Sequence, residues 1–288
     1  MTVNIHFTKM HGLGNDFVVL DNITQSLKIE PRLIRRISDR NFGIGCDQIL
    51  IVEPPTQPDL DFNYRIFNAD GKEVSQCGNG ARCIGRYIYD NGFSDKKVLK
   101  IGTLAGEITI VLSDLTSIQV DMGKPNFHPD SIPLKLNALT VLPLEGRYRI
   151  KIFNEERDVT ILSLGNPHCV FLVFNTEEAD VKAIGEALQK HPAFLKGVNV
   201  SFVQVLARNH IKCRVFERGV GETLACGTAA CASVITGVLQ EQLNPEVKVD
   251  MPGGALTVRW EAQGSAFLSG PTMNVFHGEF TVTSAPIA

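Results

Sequence analysis

An internal repeat at about half the chain length limits this sequence to a fold that is built twice from one unit. Short blocks recur in the same order, at shifts of 148 to 151 residues. They pair Leu13-Gly14-Asn15 with Leu164-Gly165-Asn166, Gln48 with Asn199, the stretch from Arg65 to Ala81 with that from Arg214 to Ala230, and Gly106 with Gly254. Ordered blocks with a nearly constant shift indicate a duplicated folding unit.

Each copy of the repeat is rich in strand-like alternation and contains one main helical stretch, which predicts an α+β fold. We expect two pseudo-symmetric lobes, each with a mixed or antiparallel, barrel-like sheet around a central helix. Residues 1–123 plus 273–288 would form the first lobe and residues 124–272 the second, because the strand-like stretch NVFHGEFTVT lies beyond the second repeat. The cleft between the lobes is the expected place for a small-molecule site.

The composition excludes several classes of function. The 288-residue chain has a net charge of -3 and a pI near 6.2, so it lacks the basic surface that nucleic-acid partners require. Its sequence has no apolar run long enough to cross a membrane and no targeting segment, and we expect a cytoplasmic protein. Seven cysteines, an odd number, fit thiols in a reducing compartment better than a disulfide framework.

Two of these cysteines occupy matching positions in the repeat. Cys77 and Cys226 each precede a glycine and a stretch with helical apolar spacing, so each is predicted at a helix N-terminus. Unpaired backbone N–H groups and the helix dipole favour an anion there and should lower a thiol pKa toward neutrality. The alternative, two small buried side chains, does not explain the symmetric placement. Cys83 and Cys231 lie on other helix faces and are expected in the core.

Other uses of these cysteines and glycines fit the sequence less well. No C-x-x-C occurs and the seven histidines are scattered, which disfavours a metal site. The closely spaced glycines do not form G-x-G-x-x-G between a strand and a helix, which disfavours a dinucleotide site. We therefore expect no metal and no cofactor.

Two opposed thiols can invert a carbon centre without a cofactor. One sulfur, as a thiolate, removes the α-proton, and the other, as a thiol, delivers a proton to the opposite face. Such a pair titrates as a coupled unit. The N–H groups of Gly78, Asn79, Gly227 and Thr228 are placed to stabilise the substrate carboxylate as negative charge develops.

The longer motifs resemble one known family. The stretches GLGNDFVVLD, FNADGKEVSQCGNGARC, LGNPHCV, FERGVGETLACGTAACA and MPGG are similar to those of diaminopimelate epimerase, over essentially the whole chain. The resemblance implies interconversion of L,L- and meso-diaminopimelate without pyridoxal phosphate, on the route to lysine and peptidoglycan. It also implies two pseudo-symmetric lobes and commonly a homodimer.

The resemblance further implies roles for particular residues. Cys77 and Cys226 match the proton-transfer pair, and His168 matches an active-site histidine that could tune the thiols together with Glu217. Substrate contacts are implied for Asn15, Gln48, Asn68, Asn166, Asn199, Glu217 and Arg218. Arg218, with amide side chains, suits the carboxylate at the second amino-acid end of diaminopimelate, and Glu217 suits the ammonium group at that same end. The amide residues could instead serve turns or caps, and the two charged residues could be surface groups.

Two rival functions remain open at this point. Proline racemases and hydroxyproline epimerases use the same two-thiol logic on a ring with one carboxylate, for which Arg218 and Glu217 are less needed. A non-catalytic binder, or a protein in which Cys77 and Cys226 form a switch disulfide, belongs to a different class.

Overall fold

The computed structural model describes residues 2–75 and 77–283. Their contacts divide the chain into two compact units. One unit runs to Val120 and resumes at Gly270, and the other extends from Asp121 to Ser269.

Eight strands and two helices make up the first part of the first unit. In chain order they are β1 (Thr2–Gly12), β2 (Asn15–Asp21), α1 (Pro31–Ser38), β3 (Gln48–Glu53), β4 (Phe62–Asn68), β5 (Glu73–Val74), α2 (Gly78–Asp90), β6 (Val98–Thr103), β7 (Gly106–Val111) and β8 (Ile118–Asp121). β8 leads into the second unit.

The second unit begins with two short 3-10 turns and continues with ten strands and two helices. They are β9 (Thr140–Val141), β10 (Arg147–Ile152), β11 (Glu155–Ser163), β12 (Pro167–Leu172), α3 (Val181–Gln189), β13 (Asn199–Ala207), β14 (His210–Glu217), β15 (Gly221–Thr223), α4 (Gly227–Leu239), β16 (Glu246–Met251), β17 (Gly254–Trp260) and β18 (Ala266–Gly270). The last strand of the chain, β19 (Met273–Thr283), belongs to the first unit.

The strands pair in the same order in both units. In the first, β1, β2, β3, β4, β6, β7 and β8 are successive neighbours, with β5 beside β4. In the second, β11, β12, β13, β14, β16, β17 and β18 follow the same order, with β15 beside β14. The pairs β2–β3, β4–β6, β12–β13 and β14–β16 are parallel, and the others are antiparallel. The repeat in the sequence is therefore a repeat of topology.

β19 completes this correspondence. It pairs antiparallel with β1 over ten positions, as β10 pairs with β11 in the second unit. The last strand thus pairs with the first strand of the chain. The expected barrel-like closure is not found, because the mixed sheet stays open.

The longer helices lie against equivalent strands. α2 packs on β1, β2, β3 and β7, and α4 packs on β11, β12, β13, β14 and β17. Most of α2 and nearly all of α4 are buried, as expected of helices that carry few polar side chains on their inner faces. Within the described part of the chain, no helix has both the length and the apolar character needed to span a membrane.

In each unit a glycine turn precedes an asparagine at the equivalent position of the repeat. Gly14 and Gly165 follow β1 and β11 with φ of 86° and 85°, a left-handed conformation that glycine adopts without the steric cost of a Cβ. Each is followed by an asparagine, Asn15 or Asn166, near the start of the neighbouring strand. These two turns set up the polar groups around the helix starts.

Candidate active site

Cys77 is the residue immediately before α2. Its backbone is extended, with φ −152° and ψ 110°, and the Gly80 N–H donates to its Sγ over 3.4 Å. The sulfur thus caps the helix, where N–H groups and the helix dipole favour negative charge. The side chain is partly exposed. Its place at a helix start is the one predicted from the sequence.

Asn15 lies beside this sulfur and is hydrogen-bonded to two neighbouring side chains. The Cys77 thiol lies 3.7 Å from Asn15 Oδ1, and the Asn79 amide donates to the same oxygen over 3.3 Å. The Asn15 amide nitrogen in turn donates to Asp47 Oδ2 over 3.0 Å. Asn15 is therefore held from both sides, with its oxygen toward the sulfur.

Gln48 and Asn68 form a second pair in the first unit. They are opposite each other on β3 and β4, and the Gln48 amide donates to Asn68 Oδ1 over 2.8 Å. Gln48 also lies beside Phe17 in the parallel pairing of β2 with β3. Sheet register brings these two predicted site residues together.

A network of four charges, which sequence reasoning missed, supports Asn15. Asp16 accepts from Lys9 Nζ over 2.6 Å and from Arg40 over 2.7 Å, and Arg40 also pairs with Asp47 over 2.9 Å. Although burial opposes ionisation of Asp16, these cationic partners hold its pKa well below the ordinary value. Asp16 and Asp47 each adjoin a predicted site residue in the sequence, the one signal that could have revealed them.

Cys226 has the same position before α4 but different surroundings. Its φ of −136° and ψ of 118° place it at the helix start, and its Sγ lies 3.4 Å from Thr228 Oγ1. Burial, and next the negative charge of Glu217, raise the pKa of this thiol well above its ordinary value. The expectation that the helix start lowers this pKa is wrong for Cys226, because desolvation and Glu217 outweigh the helix N-terminus.

A short hydrogen-bonded chain leads from His168 to Cys226. His168 Nε2 lies 2.9 Å from Asn166 Oδ1, and the Asn166 amide donates to Thr228 Oγ1 over 3.3 Å. His168 is completely buried, and burial, with a contribution from the charge of Arg218, lowers its pKa to about 3. A neutral ring with its proton on Nε2 donates to Asn166. His168 thus reaches Cys226 through two intervening side chains.

We expect His168 to stay neutral between pH 5 and 8. Because its folded pKa is depressed, the ring charges only near pH 3, and the ring carbon shift of His168 in NMR spectra should stay constant in that interval. Phe17 occupies the equivalent position in the first unit. The variant His168→Phe therefore removes the hydrogen bond to Asn166 with a side chain that this position of the fold accommodates. The variant should lose about tenfold in turnover, with an unchanged pH profile. A titration of His168 near pH 6.5 would contradict this account.

The Asn199 side chain forms hydrogen bonds with backbone groups of its own unit. It pairs with His168 across β13 and β12, donates to the Pro167 carbonyl over 3.2 Å, and accepts from the Arg218 N–H over 2.9 Å. It is 4% exposed. These contacts join Asn199 to the backbone of Pro167 and Arg218, and its contact with a substrate stays a prediction.

Glu217 and Arg218 are neighbours in the chain, but their charged groups have different surroundings. Glu217 accepts from the Thr223 hydroxyl over 2.6 Å and lies close enough to affect Cys226. Arg218 is exposed, and its guanidinium donates to the Lys196 carbonyl over 3.5 Å. Arg218 thus presents its positive charge at the surface, whereas Glu217 keeps its negative charge near Cys226.

The predicted backbone donors also lie where the sequence placed them. Gly78 and Asn79 are the first two residues of α2, and Gly227 and Thr228 are the first two residues of α4. N–H groups in a first helical turn have no partner within the helix and suit a carboxylate.

The duplicated α+β fold is that of the two-lobed epimerases and isomerases. The model of the diaminopimelate epimerase family matches residues 7–128 and 160–275, well over half of the chain. The protein belongs to the diaminopimelate epimerase family.

Several solved structures share this fold. A hydroxyproline epimerase from Agrobacterium vitis, with trans-4-hydroxy-L-proline bound, is 14% identical with a TM-score of 0.68, over 97% of this chain and 93% of that one. A PhzF-family phenazine biosynthesis protein from Bacillus anthracis is 18% identical with a TM-score of 0.65, over 96% and 99%. A methylitaconate delta-isomerase is 16% identical with a TM-score of 0.63, over 98% and 96%. At these identities the likeness concerns the fold.

Proposed function

We propose that this protein is a cofactor-independent epimerase that interconverts L,L- and meso-diaminopimelate. Membership of the diaminopimelate epimerase family supports the substrate, and the paired cysteines support the chemistry. The observation that carries the proposal is that Cys77 and Cys226 occupy equivalent helix starts in two topologically identical units, yet have differently charged surroundings.

The proton accounting is simple. The thiolate of one cysteine takes the α-hydrogen as a proton, and the electron pair of the broken C–H bond passes into the carboxylate as an enediolate. The thiol of the other cysteine then donates its proton to the opposite face of the same carbon. The two sulfurs end with exchanged protonation states, and the reverse reaction uses them in exchanged roles.

The helix starts would hold the reacting end of the substrate. Backbone N–H groups of Gly78, Asn79, Gly227 and Thr228 would bind the α-carboxylate and stabilise it as charge develops. Glu217 lies beside Cys226 and would meet the ammonium group on the reacting carbon, rather than the distal one.

The distal amino-acid end of diaminopimelate needs polar partners of its own. The exposed guanidinium of Arg218 can take the second carboxylate in a bidentate contact. Asn15, Gln48, Asn68 and Asn166 supply amide groups for the remaining contacts. A ring substrate with one carboxylate would leave Arg218 unused, which favours the longer substrate.

The setting follows from the chemistry. Two thiols must stay reduced, which suits the cytoplasm and a role in lysine and peptidoglycan precursor biosynthesis. We keep the expectation of a homodimer.

The test is α-hydrogen exchange in deuterated water. Purified protein, kept reduced and without added cofactor, is incubated with L,L-diaminopimelate while NMR follows α-deuterium and the meso isomer. We expect both to appear together. Exchange of proline or hydroxyproline instead would move the substrate to the ring amino acids, and no exchange with any amino acid would favour a non-catalytic binder.

A further inference from the structure

Arg82 is a completely buried arginine one turn inside α2. It is 0% exposed, and its guanidinium donates to Asn79 Oδ1 over 2.8 Å and to the Gly78 carbonyl over 3.4 Å. A buried guanidinium stays charged, because its pKa lies far above the working range. The first turn of α2 therefore contains a fixed positive charge.

This charge connects to Cys77 through two amides. Arg82 can only donate, so it fixes the oxygen of Asn79 toward itself and the nitrogen of Asn79 toward Asn15. Asn15 then presents its oxygen to the Cys77 sulfur at 3.7 Å. That oxygen accepts from a protonated thiol, whereas the Gly80 N–H favours a thiolate. The fixed charge of Arg82 acts in the same direction as the Gly80 N–H and favours the thiolate.

Tyr64 and Cys83, two titratable groups beside this turn, carry no charge that offsets Arg82. Burial raises the pKa of Tyr64, whose hydroxyl donates to the Cys77 carbonyl, well above its ordinary value. Burial likewise raises the pKa of Cys83 on α2 to about 12. Both groups stay neutral at working pH. The network of Lys9, Asp16, Arg40 and Asp47 contains two positive and two negative formal charges, which cancel.

The second unit lacks an arginine at the equivalent position. The repeat places Cys231 where the first unit has Arg82, and Glu217 where the first unit has Asn68. The two sulfurs thus have charges of opposite sign near them, in otherwise matching folds. The duplication placed two thiols at equivalent positions, and the differences at Arg82/Cys231 and Asn68/Glu217 give them different electrostatic surroundings.

We propose that Arg82 is a positioning residue for Cys77: its buried charge, linked through Asn79 and Asn15, favours the thiolate of Cys77 and makes this sulfur the base of the resting enzyme. The proposal rests on the two-thiol function above. In the resting enzyme, Cys226 would then be the protonated thiol.

The test measures thiolate formation at each cysteine without substrate. Iodoacetamide alkylates the protein at pH values from 5.5 to 10, and mass spectrometry quantifies the peptides that contain Cys77 and Cys226. In the wild-type protein we expect the Cys77 midpoint below the ordinary thiol value of about 8.5, and below the Cys226 midpoint. Arg82→Gln should slow Cys77 alkylation at pH 7 about tenfold, which corresponds to a midpoint about one unit higher.

Two variants serve as matched controls. Arg82→Lys keeps the charge and should keep the Cys77 midpoint near the wild-type value. Arg86→Gln removes an arginine one turn further along α2, where it pairs with Asp90 over 2.8 Å, and should leave both midpoints unchanged. A purely structural role for Arg82 would predict that the lysine and glutamine variants behave alike.

Two results would overturn the proposal. One is an Arg82→Gln protein with a native circular dichroism spectrum and an unchanged Cys77 midpoint. The other is a wild-type Cys226 midpoint at or below that of Cys77. This comparison needs only the wild-type protein, so it tests the proposal even if Arg82→Gln does not fold. Because alkylation needs no substrate, the result stays separate from any failure to epimerise diaminopimelate.

Discussion

Replacing either Cys77 or Cys226 with alanine is expected to lower the rate of epimerisation by about a thousandfold or more. Inversion needs a base on one face of the carbon and an acid on the other, and each variant lacks one of them. The two variants should nevertheless differ in hydrogen exchange. With Cys226→Ala, Cys77 can still remove a proton and return a deuteron to the same face, so exchange without inversion should persist. NMR of the recovered substrate, with chiral separation of the isomers, measures both quantities.

The neighbouring cysteines provide the control. Cys83 and Cys231 lie in the same two helices and are fully buried, as the sequence predicted for core residues. Cys83→Ala and Cys231→Ala should cost about 1 kcal/mol of stability through the lost packing but should retain turnover. An alanine variant of Cys77 or Cys226 that still inverts its substrate at a wild-type rate would refute the two-thiol mechanism.

The topology was accessible from the sequence because the repeat constrains it twice. A turn such as Leu13-Gly14-Asn15 has many readings alone, but its second copy at 164–166 implies the same strand arrangement in both places. The register confirms this, since Phe17 lies beside Gln48 in one unit and His168 beside Asn199 in the other. The placement of both cysteines at helix starts follows from the same logic.

The electrostatics of the two helix starts was not accessible in this way. Helix position alone predicts a lowered pKa for both thiols, but the pKa of Cys226 is raised. Burial is the largest cause of that shift, and burial depends on how α4 packs against five strands, which no local pattern encodes. The next cause is the negative charge of Glu217, which lies nine positions earlier in the chain.

The supporting charges were missed for a related reason. Asp16 and Arg40 are separated by 24 residues, and only the folding of the α1–β3 connection over β2 makes them partners. Arginine is a residue type of exposed helix positions, so the complete burial of Arg82 follows from the packing of α2 and not from its residue type. Asn199 matches the family pattern of substrate contacts, and its hydrogen bonds to the Pro167 carbonyl and the Arg218 N–H become visible only in the folded chain. Hydrogen bonds and ion pairs between residues far apart in the chain, rather than residue type, thus determine which side chains support the site.

Glu217→Gln is expected to make Cys226 ionise more easily while it weakens epimerisation. Removing the negative charge lowers the pKa of the thiol, but burial, the larger cause, remains, so the pKa should stay above its ordinary value. The iodoacetamide midpoint of the Cys226 peptide should fall by about one unit, and KM for diaminopimelate should rise at least about tenfold, as the proposed contact with the ammonium group is lost.

Glu222→Gln is the matched control for this variant. Glu222 lies in the same hairpin and pairs with Arg214 over 2.7 Å, so its loss should leave the Cys226 midpoint unchanged. A midpoint that rises or stays constant in Glu217→Gln would mean that Glu217 does not act on Cys226. If instead the midpoint falls and KM is unaffected, Glu217 would tune the acid without touching the substrate, and the ammonium group would need another partner. The two readouts together thus separate the electrostatic role of Glu217 from its binding role, which the sequence motif alone leaves combined.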